Sequence, residues 1–245
     1  MLHQKNTLPY RRILLKLSGE MLVNGQLQAI DPHACHNLAV SIKALHSTGV
    51  DIGLVIGGGN LFRGMNFQTM GMRRTPADQI GMLATLINGI ALQQALENCQ
   101  CPAKVLSAIE CPKIAETYTW QRAHELLNTG HVVIFVGGTG NPYFTTDTAA
   151  ALRASEISAD VLIKATKVDG IYNKDPIKYP NATKYTTLNY SQMLAEKLEI
   201  MDATSIALCR SNHIPILVFN MELLRQGRAQ EILNNPQMGT LVSGD

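Results

Sequence analysis

Short continuous apolar runs alternate along this chain with longer segments in which apolar side chains recur at helical spacing. Each run is too short for a buried helix and is bounded by glycine or polar residues, which predicts a buried strand. The predicted strands cover 12–17, 50–56, 131–136, 160–164 and 214–219. Because helical segments separate them, the pattern predicts an α/β fold with a mainly parallel sheet.

The segment between the first two strands carries the signals of a helix. Asp31 is a good capping residue, Pro32 suits the first helical position, and Gly49 ends the periodic pattern. This strand, helix and strand form a β-α-β unit that runs into a glycine cluster. Ligands of open parallel sheets bind at that carboxyl edge.

A second, longer helix is predicted from Thr75, with Thr75 as its cap and Asp78 in the reciprocal position of a capping box. Its body, 80–96, is apolar on nearly all sides, so a large core or another subunit must cover it. We favour a subunit interface. Further helices are predicted over 119–127 and through most of 188–212.

Two predicted strands run directly into glycine clusters, at 57–64 and at 137–142. Glycine loops after buried strands can present backbone N–H groups to a phosphate, although a tight turn explains either cluster equally well. Arg63 in the first cluster would add a forked, charged donor. Because each cluster follows an apolar strand and leads to asparagine, we expect both at the same sheet edge, facing one site.

Lys16 and Lys164 each stand near the carboxyl end of a predicted strand. A lysine in an apolar strand must reach solvent, a carboxylate or a ligand phosphate. Asp147 lies at a hydroxyl-rich helix start, where it can cap the helix or hold a nearby lysine. Asp202 stands among apolar neighbours. Several cationic and N–H donors are thus expected at one edge of the sheet.

Length and composition fit one large domain over 1–245, preceded by a loose polar arm at 1–10. The formal net charge is only +2, which argues against a nucleic-acid surface, and no apolar run approaches the length of a membrane span. The five cysteines are odd in number, no secretory signal pattern precedes them, and no ligand set completes a zinc site. We expect a cytoplasmic protein with reduced thiols.

The common fingerprints of other enzyme classes are missing from the sequence. Neither the P-loop pattern nor G-x-G-x-x-G occurs, and no arrangement of serine, histidine and aspartate or of metal ligands stands out. The remaining features are glycine loops, a helix N-terminus and strand-end lysines. They suit phosphoryl transfer, in which an enzyme mainly aligns the reactants and neutralises charge.

Four motifs in order resemble those of bacterial uridylate kinases, a family within the amino acid kinase superfamily. They are K-L-S-G at 16–19, G-G-G-N-L-F-R-G at 57–64, G-T-G-N-P-Y-F-T-T-D at 138–147 and K-A-T-K-V-D-G at 164–170. The similarity runs in register from about residue 11 to the C-terminus, so it is far more specific than any single motif.

The resemblance implies a three-layer α/β/α sandwich with a mainly parallel central sheet. It also implies transfer of a phosphoryl group from ATP to UMP, giving ADP and UDP, and assembly into a homohexamer. Within the single domain, the acceptor would bind the half covering about 11–160 and ATP the half covering about 161–245.

Site residues follow from the same motifs. ATP would contact Lys16, Leu17, Ser18, Gly19, Gly59, Arg63, Thr166, Tyr172 and Asp175. UMP would contact Gly58, Asp78, Thr139, Gly140, Asn141, Pro142, Tyr143, Phe144, Thr145 and Thr146. In the catalytic group of Lys16, Arg63, Asp147, Lys164 and Asp202, Lys16 would neutralise the transferred group and Asp147 would orient Lys16. Asp202 would be a second support, and Lys164 would touch phosphate or pair with a carboxylate.

Mg²⁺ would accompany ATP, held mainly by phosphates and water rather than by a protein cage. UTP is a plausible inhibitor at the UMP site. Activation by GTP in related enzymes uses basic residues, and Gln93, Glu97 and His131 stand at the matching positions here, so we expect weak or no GTP stimulation. Two alternatives remain: a kinase of the same fold that phosphorylates a carboxylate or carbamate, and a nucleotide-sensing module without catalysis.

Overall fold

The computed structural model describes residues 8–25, 28–62, 71–198 and 200–244. Its strands are β1 (Arg12–Leu17), β2 (Asp51–Ile56), β3 (Ala103–Ser107), β4 (Glu116–Thr117), β5 (Val132–Val136), β6 (Val161–Thr166), β7 (Ile171–Tyr172), β8 (Lys184–Tyr185), β9 (Thr187–Leu188), β10 (Ile216–Asn220) and β11 (Thr240–Val242). Its α-helices are α1 (Pro32–His46), α2 (Arg74–Asn98), α3 (Trp120–Asn128), α4 (Thr146–Glu156), α5 (Tyr190–Ala195), α6 (Ala203–Ser211), α7 (Met221–Arg225) and α8 (Ala229–Asn234). Short 3-10 helices cover Gly19–Leu22 and Pro236–Met238.

Within the described residues, nine strands form one sheet in the order β4-β3-β5-β2-β1-β6-β10-β11-β9. Neighbouring strands are parallel except for the antiparallel pair β10 and β11. Strands β7 and β8 form a separate antiparallel pair. The prediction of an α/β fold with a mainly parallel sheet is therefore confirmed.

Apolar cores lie on both sides of the sheet, as the alternating side chains of β1 show. Ile13, Leu15 and Leu17 belong to one core, together with buried residues of α1 and α2. Leu14 belongs to the other core, which includes buried residues of α3, α4 and α6. Because side chains alternate along a strand, Lys16 lies on the same face as Leu14, beneath α4. Helices on both faces of the sheet give the predicted three-layer sandwich.

Helix α1 begins as predicted, since the Asp31 carboxylate accepts hydrogen bonds from the N–H groups of His33 and Ala34. The prediction of a mainly helical 188–212 is only partly right, because α5 and α6 are separate helices. Asn189 caps α5 and Asp202 caps α6. Lys197, between the two helices, has a φ of 51°, which is incompatible with a continuous right-handed helix.

The predicted capping box at the start of α2 is wrong. The helix begins at Arg74 without a side-chain cap. The Asp78 carboxylate instead accepts a hydrogen bond of 2.7 Å from Nε of Arg74 and one of 2.8 Å from the backbone N–H of Tyr143. A charged guanidinium and a loop amide thus replace the cap that Asp78 was expected to help form.

Helix α2 buries one face and exposes another that is also apolar. Ile80, Leu83, Ile87 and Ile90 are each between 36% and 51% exposed in the single chain. Although α2 is 25 residues long, the described part of the chain contains no helix that is both long and apolar enough to cross a membrane.

Candidate active site

Four loops meet at one edge of the sheet, because β5, β2, β1 and β6 are adjacent and parallel. The loops after β2 and β5 contain the two glycine clusters, and those after β1 and β6 begin at Ser18 and Lys167. The expectation that both glycine clusters lie at the same edge is confirmed. Strands β2 and β6 flank β1 on opposite sides, so the strand order changes direction at β1. Open α/β sheets usually bind their ligands at the carboxyl edge at such a point.

The first glycine loop lies tightly against α2 on one side and faces open space on the other. A Cβ on Gly58 would lie 2.8 Å from Cβ of Ala84 and 3.0 Å from the carbonyl oxygen of Gly81, so only glycine allows this approach. A Cβ on Gly59 would meet no atom of the described residues within 4 Å. Arg63, assigned to this loop's ligand, lies outside the described residues.

The loop after β1 packs onto the first glycine loop. A Cβ on Gly19 would lie 2.1 Å from Oδ1 of Asn60 and 2.5 Å from the carbonyl oxygen of Gly57. Ser18 uses its hydroxyl to accept a hydrogen bond from the N–H of Glu20, and the Leu17 side chain is fully buried. Leu17 can therefore meet a ligand only through its backbone.

Lys16, Lys164 and Asp147 form the charged centre of this edge. The two lysines occupy paired positions of the neighbouring strands β1 and β6. Nζ of Lys16 lies 2.6 Å from Oδ1 of Asp147, and Nζ of Lys164 lies 2.6 Å from Oδ2. Lys164 also donates to the carbonyl oxygen of Ile200. The expected contact between Asp147 and Lys16 is present, and Lys164 pairs with the same carboxylate.

Burial and charge shift the pKa values of this centre. Burial acts to raise the pKa of Asp147, but the ammonium groups of Lys16 and Lys164 outweigh it and hold that pKa below its ordinary value. Burial lowers the pKa of Lys164, and repulsion by Lys16 lowers it further, against the attraction of Asp147. Among these three groups the excess is one positive charge, and the nearby Asp202 carboxylate, which attracts Lys164, offsets part of it.

Asp202 supports the start of α4 rather than Lys16. Its Oδ2 accepts hydrogen bonds of 2.6 Å from Oγ1 of Thr145 and 2.9 Å from Oγ1 of Thr148. Thr145 caps α4 by accepting from the backbone N–H groups of Asp147 and Thr148. The cap is therefore Thr145 and not Asp147, whose side chain is directed to the lysines. Any support that Asp202 gives to Lys16 passes through the first turn of α4.

A cavity of about 160 Å³ lies between the two glycine loops and α2. It brings together seven residues assigned to the acceptor by resemblance: Gly58, Asp78, Thr139, Asn141, Phe144, Thr145 and Thr146. Three others assigned to the acceptor, Gly140, Pro142 and Tyr143, do not line it.

Sequence reasoning missed six residues that line this cavity, and it placed Gly59 on the ATP side only. The six are Phe62, Ala77, Gly81, Met82, Thr85 and Gly138. Asp78, Gly81, Met82 and Thr85 recur at helical spacing on α2, a signal that could have identified them.

Two further cavities continue from the charged centre along the other half of the sheet. One, of about 770 Å³, is lined by residues that include Thr146, Asp147 and Asp202. The next, of about 420 Å³, is lined by Tyr172 and Asp175, and both cavities share Lys197, Leu198 and Ile200, which the sequence reading missed. Thr145 and Thr146 also line the acceptor cavity. The three cavities thus form a row with Asp147 near its middle.

The residues assigned to ATP beyond β6 are only partly together. The Thr166 hydroxyl donates to the carbonyl oxygen of Val168 at 2.7 Å, and Thr166 does not line the cavity of Tyr172 and Asp175. The Tyr172 hydroxyl donates to Oδ1 of Asp169 at 2.5 Å, and this hydrogen bond raises the pKa of Tyr172 to about 12. Tyr172 is therefore neutral at physiological pH and can pack against an uncharged ring.

The described residues contain no group of three or more histidine, cysteine, aspartate or glutamate side chains that could hold a metal ion. Both oxygens of Asp147 face lysines, so this carboxylate is a poor metal ligand. All five cysteines are described and none is in a disulfide.

Fold and site together define an α/β protein with two glycine loops at the carboxyl edge of a mainly parallel sheet. The amino acid kinase family matches residues 11–220. A uridylate kinase of Protochlamydia amoebophila is 59% identical over 232 residues, covering 95% of this chain and 92% of that protein. A uridylate kinase of Dichelobacter nodosus is 48% identical over 95% of this chain and 96% of its own length.

Solved structures agree with these relatives. A UMP kinase from Bacillus anthracis has a TM-score of 0.89 at 33% identity, covering 97% of both chains. A UMP kinase from Ureaplasma parvum has a TM-score of 0.89 at 35% identity, covering 99% of this chain and all of that one. The chain belongs to the amino acid kinase family and, within it, to the uridylate kinases.

Proposed function

We propose that this protein is an ATP-dependent UMP kinase, which transfers the γ-phosphoryl group of ATP to UMP and releases UDP and ADP in pyrimidine nucleotide synthesis. The observation that carries the proposal is the centre of Lys16, Asp147 and Lys164, whose Asp147 lines the cavity of about 770 Å³ next to the cavity that collects residues assigned to UMP. The relatives at 59% and 48% identity support the choice of substrates.

The reaction needs charge neutralisation more than proton transfer. A phosphate oxygen of UMP attacks the γ-phosphorus, and the bond from that phosphorus to the bridging oxygen of ADP breaks. The second pKa of a phosphate monoester is about 6, so the attacking oxygen is already ionised at neutral pH. No general base is required, which agrees with each carboxylate oxygen of Asp147 lying 2.6 Å from a lysine Nζ. Asp147 is then a positioning residue and Lys16 the group that meets the transferred charge.

Each nucleotide has its own half of the row of cavities. We assign the α-phosphate of UMP to the N–H groups of the two glycine loops and its ribose to Asp78. We assign the phosphates of ATP to the loop at Lys16 through Gly19 and to Gly59, and its base to the cavity at Tyr172 and Asp175. Lys197 and Ile200 add to that wall. Lys164 adds a second positive charge near the transferred group while it remains paired with Asp147.

Mg²⁺ accompanies ATP in this proposal. When bound, it would reduce the negative charge of the ATP phosphates. The described residues offer it no carboxylate cluster, so the phosphates and water would supply most of its ligands.

The assembly is a homohexamer in which the exposed apolar face of α2 meets another subunit. Four aliphatic side chains at helical spacing, Ile80, Leu83, Ile87 and Ile90, form that face. A stripe of this kind on a single helix is typical of an interface. We further propose that the protein works in the cytoplasm, that UTP competes with UMP, and that GTP has little effect.

A panel of acceptors tests the function directly. Purified protein is given ATP with UMP, CMP or acetylglutamate, ADP is followed by a coupled assay, and the phosphorylated product is separated by chromatography. We expect rapid turnover with UMP alone and equal amounts of UDP and ADP. Preference for acetylglutamate would establish the carboxylate kinase alternative. Binding of UMP and ATP without UDP would establish the sensing module.

A further inference from the structure

Helix α2 holds both glycine loops through two buried polar side chains one turn apart, Thr85 and Asn88. Their relative exposures are 3% and 0%. Neither belongs to a motif that the sequence analysis assigned to a ligand. Buried polar groups need hydrogen-bond partners, and these two find theirs in the loops rather than in the helix alone.

Asn88 binds the first glycine loop with its whole amide group. Its Nδ2 donates to the carbonyl oxygen of Gly57 and to Oδ1 of Asn60, both at 2.7 Å. Its Oδ1 accepts from Nδ2 of Asn60 at 3.1 Å. The same atoms of Gly57 and Asn60 pack against Gly19, as described above. Asn88 therefore fixes the two loops assigned to the ATP phosphates.

Thr85 binds the second glycine loop. Its Oγ1 accepts a hydrogen bond of 2.8 Å from the backbone N–H of Gly137 and donates one of 2.7 Å to the carbonyl oxygen of Met82. Gly137 has a φ of 76° and begins the loop that leads to the acceptor cavity. The Thr85 hydroxyl thus links the acceptor loop to the helix that also holds the ATP loops.

Small residues keep α2 at a fixed distance from both loops. A Cβ on Gly89 would lie 2.3 Å from Cγ1 of Val136, and a Cβ on Gly58 would lie 2.8 Å from Cβ of Ala84. The two glycines therefore allow α2 to lie close to the end of β5 and to the first glycine loop, and the hydrogen bonds hold it there. One rigid element therefore sets the spacing between the loops.

We propose that Thr85 and Asn88 are positioning residues that set the spacing of the donor and acceptor phosphate loops, an inference that rests on the proposed kinase function. In-line transfer is sensitive to displacements of about 1 Å, so loss of either contact affects catalysis. Thr85 lines the acceptor cavity, but its hydroxyl is engaged by the N–H of Gly137 and the carbonyl oxygen of Met82. The two residues act on different nucleotides: Thr85 on the acceptor and Asn88 on ATP.

Thr85 is tested with a matched pair of variants. Thr85→Val keeps the shape but removes the hydroxyl, leaving the N–H of Gly137 without its partner, whereas Thr85→Ser keeps the hydroxyl. We expect Thr85→Val to raise KM for UMP about fivefold to tenfold with KM for ATP within about twofold. Thr85→Ser should restore the wild-type value for UMP.

Asn88 is tested together with its partner Asn60. Asn88→Ala should raise KM for ATP about tenfold and lower kcat, while KM for UMP changes less. Asn60→Ala, which leaves the helix intact, should shift the same constants in the same direction. The effects in the double variant should add to less than the sum of the single effects, because the two changes share the Asn60–Asn88 contact, while Asn60 also donates to the carbonyl oxygen of Ala29 and Asn88 to that of Gly57. Asn98→Ala, an exposed position at the end of α2, is the control and should behave as wild type.

Calorimetric binding of each nucleotide accompanies the kinetics and separates this inference from the proposed function. A wild-type protein that forms no UDP contradicts the kinase function, but Thr85→Val should still weaken UMP binding and Asn88→Ala ATP binding. Wild-type constants in Thr85→Val, or equal changes for both nucleotides in all variants together with a lower Tm, would overturn the positioning role.

Discussion

Asp147 determines the character of the centre at the scale of single residues. Two lysines at paired positions of neighbouring strands would repel each other, and one carboxylate contacts both ammonium groups. The arrangement costs desolvation free energy, which these ion pairs offset only in part. An incoming phosphate therefore meets lysines that are already oriented.

The pKa of Lys164 gives a prediction at this scale. Because burial and Lys16 lower that pKa, Lys164 loses its proton, and the centre its excess charge, at a lower pH than an ordinary lysine would allow. We expect kcat/KM for ATP, which reports the free enzyme, to fall on the alkaline side below the ordinary lysine range. Rate profiles from neutral to alkaline pH measure this.

Lys164→Gln supplies the comparison for that profile. The variant should be slower, because it lacks the charge, and its profile should lack the alkaline fall. The same alkaline fall in Lys164→Gln and in wild type would show that another group titrates.

Sequence reasoning reached the residue types of the site but not all of their partners. The ends of β1 and β6 identified Lys16 and Lys164, since a lysine after an apolar run is conspicuous. Sequence reasoning left open whether Asp147 caps a helix, and it wrongly assigned Asp78 to a capping box. Both answers depend on contacts between residues that are distant in sequence. Lys16 contacts Asp147, and the backbone N–H of Tyr143 donates to Asp78.

Helix α2 both holds the glycine loops of the site and carries the exposed apolar stripe. One face holds both glycine loops through Thr85 and Asn88, and the other exposes an apolar stripe. A partner subunit on that stripe would bury apolar area and keep the helix, and with it the loops, in place. Self-association and loop geometry thus depend on the same element.

A charge on the stripe tests its role as an interface. Leu83 is 49% exposed, so Leu83→Glu should not disturb the folded single chain, but it would place a carboxylate in an apolar contact. We expect sedimentation to show smaller assemblies than for wild type. Val40→Glu, at an aliphatic position on α1 that is 47% exposed, is the control and should leave the assembly unchanged. A wild-type protein that sediments as a monomer at micromolar concentration would contradict the interface.

The elements themselves were largely predictable because fully buried strands read as continuous apolar runs. Strands β1, β2, β5, β6 and β10 were all found in this way. The region 188–212 is mainly helical as predicted, but helical spacing did not show that Asn189 and Asp202 cap two separate helices within it. The roles of Thr85 and Asn88 were missed because loops remote in sequence supply their partners.

At the scale of the whole molecule, the proposed function places two nucleotides along one sheet edge with the transferred group between them. The three cavities, the two glycine loops and the charged centre all lie along the carboxyl ends of four adjacent strands. This arrangement needs no P-loop and no catalytic base, which explains why the usual fingerprints are missing from the sequence.

Regulation by GTP is a further prediction for the whole molecule. Nε2 of Gln93 donates to Oε1 of Glu97 at 2.8 Å, and Oε1 of Gln93 accepts from the N–H of Val105 at 2.8 Å. A triphosphate would meet a carboxylate here and an amide already in use. We expect GTP to change the rate less than about twofold at fixed ATP and UMP. A several-fold rise in a steady-state assay would contradict this.

The most direct measurement follows UDP formation by wild type and by Lys16→Ala, with UMP binding measured on both. Wild type should give UDP and ADP in equal amounts, and Lys16→Ala should be at least about 100-fold slower with UMP affinity largely kept, a loss of about 2.7 kcal/mol of transition-state stabilisation. Lys104→Ala, which removes an exposed lysine near the amino end of β3, away from the site edge, should remain close to wild type. Turnover of Lys16→Ala within about threefold of wild type, under 1 kcal/mol of barrier, would contradict the role assigned to the charged centre.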